Sequence, residues 1–261
     1  MKNDSLFSQA EKYQHPATIL FRSIELKLLK ENLGQILDLA PALDLGCGDG
    51  IAAKAIFNKK IAFGLDNDSK AFDSAKKTGI YKKTILARAE KIPLKDASIN
   101  FVFSNCVIEH IKNLDLVLKE VARVLKPNGF FVATVPSDKF YQYSLFSFLD
   151  LKSLAKFYGK LRNRKYQHFN IYSLKEWQKT LKKAGFGQVD GFYYINKKTL
   201  EFWDSLIIFS RLFCSSTNLG KKILFWFYKK FLKNKIYNQH LLGKKTNKDG
   251  AAICIIAQKQ Q

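Results

Sequence analysis

Ala42-Leu-Asp-Leu-Gly-Cys-Gly-Asp-Gly50 decides how this chain must be read. An apolar run carrying Asp44 opens at once onto Gly46, Gly48 and Gly50, ahead of a helix-forming stretch from Ile51 to Phe57. Physically, a buried strand stops, a glycine turn brings the backbone close to something, and a helix begins. A Cβ would block both the positive-φ turn and the close approach. The first free N–H groups of the new helix then face a ligand with partial positive charge. The spacing D-x-G-x-G-x-G also excludes two neighbours. G-x-G-x-x-G would need glycine where Ile51 stands, and the phosphate loop needs a Lys-Ser/Thr pair that does not follow here.

Ile61-Ala-Phe-Gly-Leu65 reads as a second buried strand, and it ends in Asp66 with Asn67 beside it. A carboxylate at that strand end can accept both hydroxyls of a ribose lying across the sheet. Asp66 could equally cap a helix, as could Asn67, Asp68 and Ser69; pairing with the glycine loop favours the ribose role. Further strands are expected near 84–87, 99–104 and 129–135, with helices near 51–58, 69–77 and 114–125. Short buried strands alternating with helices predict a doubly wound α/β fold around a mainly parallel sheet. Right-handed crossovers then gather every strand's carboxyl end, and the loops that follow, on one edge.

The successive motifs resemble those of class I S-adenosylmethionine-dependent methyltransferases. They are Leu43–Gly50, Gly64-Leu-Asp66, Ala89-Glu-Lys-Ile-Pro93, Asn105-Cys-Val-Ile-Glu-His-Ile111 and Val121–Pro136. The resemblance spans roughly residues 38–190 and is nearest to the small-molecule branch (methyltransferase type 11) that includes the ubiquinone-biosynthesis-like enzymes. It implies a seven-stranded Rossmann-like sheet and S-adenosylmethionine as cofactor, with no metal. Asp44, Gly46, Cys47, Gly48 and Gly50 would then hold the cofactor's amino-acid portion, and Asp66 with Asn67 its ribose. Ala89 and Glu90 would flank the adenine, although Arg88 stands where many members have an adenine-accepting Asp. Asn105 and Cys106 would lie near the methionine part. His110, and His168 further on, are candidates for taking a proton from an acceptor hydroxyl, but alignment alone can drive methyl transfer and no base is obligatory.

Around this core, residues 1–37 are expected to form a helical cap, with a helix over Pro16–Leu33 and with Tyr13 and His15 as pocket candidates. Residues 38–195 and 251–261 would form the core, and 138–168 a lid rich in Phe, Tyr, Leu and Lys. Ser173 and Glu176 form a capping-box pattern, opening a helix that runs to Ala184. Phe186–Ile195 and Ala251–Ala257 read as the sixth and seventh strands. The intervening 196–250 is a basic aromatic insertion whose two segments, Leu200–Phe213 and Ile223–Leu232, are too short to span a membrane. They suit either a lid or an interfacial helix on an anionic bilayer.

A net charge of +22 allows nucleic acid or anionic membrane as partner, yet all but six of the 44 basic residues are lysine. Arginine is preferred where phosphates or base edges are read in bidentate fashion. Four unpaired cysteines, Cys47, Cys106, Cys214 and Cys254, and no signal-like N-terminus point to a reducing, cytoplasmic setting. The expected function is methyl transfer to a small or lipid-like acceptor, at a hydroxyl, with possible attachment at the membrane's inner face. The rivals are an RNA methyltransferase and a non-catalytic membrane-surface protein that keeps the fold. Against the first, Asn105-Cys-Val-Ile replaces the Asn/Asp-Pro-Pro-Tyr/Phe motif of amino-methylating nucleic-acid enzymes; against the second stand the glycine loop and Asp66.

Overall fold

The computed structural model describes residues 5–213 and 217–261; Cys214 lies outside them. Seven strands form one sheet: β1 (Ala42–Leu45), β2 (Ile61–Asp66), β3 (Tyr81–Leu86), β4 (Ile99–Asn105), β5 (Leu125–Pro136), β6 (Phe186–Tyr194) and β7 (Ala252–Lys259). Their order is β3-β2-β1-β4-β5-β7-β6, and only β7 runs against its neighbours. Helices α3 (Ile51–Ile56), α4 (Ser69–Thr78) and α5 (Leu114–Val124) make the crossovers. The chain winds outward from β1 to β3, then returns to place β4 on the other side of β1. That reversal leaves a crevice at the carboxyl ends of β1 and β4, where open α/β sheets bind ligands.

Both faces of the sheet are covered. On β4, Phe101 and Phe103 join one apolar cluster with α2 and α3 residues, while Val102 joins the other with Val117, Leu118 and Val121 of α5. α5 turns its apolar side inward and stops where Leu125 enters β5. Three expected boundaries are corrected. The third strand starts at Tyr81, not 84, because this edge strand exposes Lys82 and Lys83 and so lacks apolar alternation. The first crossover helix ends at Ile56 rather than 58. Finally, the 196–250 segment folds as three helices rather than two: α9 (Lys197–Phe213), α10 (Asn218–Phe227) and α11 (Lys233–Leu242). A π-helical turn over Tyr228–Leu232 joins the last two.

At the N-terminus, α1 (Ser5–Ala10) precedes α2 (Pro16–Leu33), whose first residue is a proline with no N–H to lose. Helix α2 is buried nearly all round because α9 and α11 pack on it. Lys27 Nζ reaches the carbonyls of His240, Leu241 and Gly243, satisfying groups that the end of α11 leaves open. Between β5 and β6 lie α6 (Leu145–Phe148), α7 (Lys152–Tyr166) and α8 (Leu174–Lys183). The last opens with the reciprocal Ser173–Glu176 capping box. None of the described helices is long and apolar enough to cross a membrane.

Candidate active site

The crevice deepens into a cavity of about 1180 Å³, above the roughly 300–1,000 Å³ of ordinary small-molecule sites. It therefore has room for two ligands. Its floor is the glycine loop. Gly46, Gly48 and Gly50 take φ of +76°, +51° and +74°, a run that L side chains resist. A Cβ on Gly46 would lie 2.3 Å from Val107 Cγ2, whereas one on Gly48 would meet nothing and stand in the cavity itself. Gly50 does not line the cavity; it caps α3 against Thr78 and Tyr81. The Gly46 and Cys47 amides are tied to Leu65 O, at 2.7 and 2.9 Å, so the loop is held to the neighbouring strand.

Asp66 sits at the end of β2, where its carboxylate accepts from the Gly48 amide at 2.8 Å and the Asp68 amide at 2.9 Å. Asn67, Ala89 and Glu90 line the same part of the cavity, and Glu90 is paired with Arg88 at 2.6 Å. Asp44 is buried beneath the loop and accepts from the Tyr81 hydroxyl at 2.7 Å. Burial pushes its pKa up to about 7, against the lowering effect of that hydrogen bond. The family's cofactor fits these residues: a ribose-binding carboxylate faces a cradle that only glycine leaves open.

Asn105 ends β4, and Cys106 just beyond it is held at φ +55°, uncommon for a side-chain-bearing residue. Burial pushes its thiol pKa up, so it stays protonated. Arg22, from the middle of α2, reaches across to them. Its Nη1 donates to Asn105 Oδ1 at 2.7 Å and to Glu25 Oε2, and it lies 3.3 Å from Cys106 Sγ. Glu25 is buried and also accepts from the Tyr194 hydroxyl at 2.6 Å. Burial opposes its charge, but Arg22 and Tyr194 outweigh this and hold the carboxyl below its ordinary range. Tyr13 joins the lining, 5.9 Å below the Arg22 guanidinium. His15 does not; it turns to Ser210 at 3.2 Å. The role of Arg22 was missed in the sequence, although a charged pair at i and i+3 inside an otherwise apolar stretch is a visible sign.

Two histidines come together from distant segments. The Phe169 and Asn170 amides donate to Glu109 O, and Asn170 Nδ2 donates to the Ile108 and Ile111 carbonyls. These bonds fasten the exit of α7 to the loop after β4 and set the His110 and His168 rings 4.6 Å apart. Burial first, then His110 and Arg162, lower the His168 pKa to about 3, so the ring is neutral. Burial also lowers that of His110. His168 Nδ1 pairs with the Tyr141 hydroxyl. Beneath them, Glu109 is buried with no partner for Oε2, and burial raises its pKa to about 8. The three side chains bring ligand atoms within 4.8 Å of one another. His110 Nε2 is 3.9 Å from Glu109 Oε1. Their arrangement suits proton handling.

Fold and site together define a doubly wound α/β protein with a nucleotide-cofactor cleft at its sheet edge. A family model described as a methyltransferase domain matches residues 43–133. An uncharacterized protein of Methanocaldococcus jannaschii is 30% identical over 189 residues, covering 71% of this chain and 81% of that one. Malonyl-[acyl-carrier protein] O-methyltransferase of Methylovorus is 32% identical over 143 residues, 47% of this chain and only 46% of that enzyme. Among solved structures, a SAM-dependent methyltransferase from Thermotoga maritima superposes with a TM-score of 0.56 at 20% identity, covering 98% of this chain and 100% of that one. The chain belongs to the class I S-adenosylmethionine-dependent methyltransferases.

Proposed function

We propose that this methyltransferase acts on a hydroxyl of a lipid-like acceptor that carries an anionic group. The division of the cavity wall carries this reading. Asp44, Asp49 and Asp66 stand around the loops of β1 and β2, where the cationic cofactor belongs, while Glu90 beyond them is paired with Arg88. Lys112, Lys160 and Arg164 line the wall formed by the loop after β4 and by α7, beside His110, His168 and Phe169. An acceptor carboxylate or phosphate would be drawn to the second group, with its apolar part against Ile111 and Phe169.

When bound, S-adenosylmethionine supplies an electrophilic methyl on a sulfonium. The glycine loop and Asp66 would fix its amino-acid and ribose parts, with Ala89 and Glu90 at the base. Arg22 braces Asn105 and Cys106, so the loop at the transfer site does not yield. With its Nδ1–H donated to the Tyr141 oxygen, neutral His168 would present Nε2 to the acceptor hydroxyl and align it for attack. A ring of so low a pKa orients the hydroxyl, and the proton passes to water as the methyl transfers. Positioning of this kind contributes roughly 7–11 kcal/mol to such reactions.

Two measurements test the reading. Calorimetric titration of S-adenosylmethionine should show micromolar binding to wild type and at least a hundredfold loss in Asp66→Ala. Incubation with methyl-labelled cofactor and a cell extract should place label in the organic-soluble fraction. Label found in RNA instead, or in water-soluble amines alone, would sink the acceptor class.

A further inference from the structure

Helix α7 faces the wrong way for a helix packed on a protein core. Its inward side carries Ala155, Gly159 and Arg162, while Leu154, Phe157 and Leu161, with Leu151 just before the helix, are exposed. Phe157 is 59% exposed, and Phe148 and Leu149 extend the same patch from α6. Ordinary amphipathic helices do the reverse.

The orientation is built in. At Gly159 the helix approaches the preceding segment so closely that a Cβ would lie 2.3 Å from Tyr141 O. Arg162 is buried against Asp204 of α9 at 2.9 Å, and its guanidinium lies over the rings of Phe140, Tyr158 and Trp203. Tyr158 donates to the same carboxylate at 2.9 Å. Rotating the helix to hide its leucines would break that ion pair and bring a side-chain-bearing residue against the Tyr141 backbone in place of Gly159.

Charge identifies what covers the patch. Between Asp150 and Glu176 there is no acidic residue, whereas Lys152, Lys156, Lys160, Arg164 and Lys165 alternate with the exposed apolar positions. Lysine is depleted where proteins bury surface against proteins. Leucine and phenylalanine standing among the lysines would meet no partner on a phosphate backbone. Apolar side chains ringed by lysines are what a helix lying in the headgroup plane of an anionic bilayer requires.

We propose that α7, with the end of α6, is the surface by which this protein docks on anionic membranes. Lys160, Asn163 and Arg164 of the same helix line the catalytic cavity, so docking sets the cavity's mouth at the lipid surface. An amphiphilic acceptor then enters without crossing water. This delivery rests on the methyl-transfer reading above; the docking does not.

The test is co-sedimentation of the full chain with phosphatidylcholine vesicles, with and without phosphatidylglycerol. Wild type should sediment with the anionic vesicles only. Phe157→Asp and Leu161→Asp should each lower the partition coefficient at least about tenfold, and Lys152→Glu/Lys156→Glu should lower it by as much on the phosphatidylglycerol vesicles. A thermal melt of each variant verifies its fold, and substitution at these exposed positions should leave it unchanged. No sedimentation of wild type, or loss confined to Trp226→Asp on α10, overturns the proposal. So does a wild-type dimer on gel filtration that Phe157→Asp dissociates, or RNA displacing the vesicles. Vesicle binding without cofactor binding would keep the docking surface and sink the enzymatic reading alone.

Discussion

Glu109→Gln should stabilise the protein, and by an amount that grows with pH. The side chain is 1% exposed and Oε2 has no hydrogen-bond partner. Burial carries its pKa from 4.5 to about 8. Between those values the folded state keeps a proton that the unfolded chain has released, so wild type loses stability as pH rises, by about 1.4 kcal/mol per unit. Below pH 4.5 both states are protonated and the penalty vanishes; above pH 8 both are ionised and it is constant. Glutamine has nearly the same shape and never titrates. From pH 5 to pH 7 the variant's advantage should therefore widen by roughly 3 kcal/mol, which for a chain of this size corresponds to about 5–10 °C in Tm. Comparing the two proteins cancels Asp44, whose raised pKa tilts both curves alike. Thermal denaturation at pH 5, 6, 7 and 8 reads the gap directly. A gap that stays constant across this range, or narrows as pH rises, would refute the reasoning.

Two further substitutions probe the scaffold. Asp204→Ala strands Arg162, which is 2% exposed at its side chain, and should cost about 3–5 kcal/mol in urea denaturation; a loss under 1 kcal/mol would mean that the ion pair does not hold α7. Gly46→Ala places a Cβ 2.3 Å from Val107 at φ +76° and should weaken both folding and cofactor binding. Adding Val107→Ala should recover the steric part and leave roughly 1–2 kcal/mol of backbone strain, so full recovery in calorimetry and urea titration would contradict the turn geometry.

Much of the core was legible because its signals are local. The run from Ala42 to Gly50 encodes strand, turn and helix within nine residues, and Asp66 needs only the strand before it. What stayed hidden depends on separation or on packing. Arg22 meets Asn105 across 83 positions, and no periodicity connects them. His110 and His168 were visible as candidates singly, but their approach depends on Asn170 bonding to the loop at Ile108 and Ile111. Tyr81 was missed as a strand residue because the two lysines after it imitate a loop, although an edge strand carries them at little cost. Helix α7 is the deepest case. Its leucines repeat at helical spacing, and the usual inference turns them inward; a glycine, an alanine and a buried arginine settled the matter the other way.

The position of β7 has a consequence for synthesis. It lies between β5 and β6 in space, yet about 115 residues separate Pro136 of β5 from Ala252 of β7. At the ribosome's pace of about 5–20 residues per second, the outer edge of β5 waits on the order of 6–23 seconds for its partner. Unpaired edges of this kind template aggregation. Over that interval the nascent chain carries an open, apolar strand, Phe130 to Val135, and β6 has emerged with nothing yet to join. The vulnerable interval is thus the wait for β7, a late strand that must slot between two that are already made.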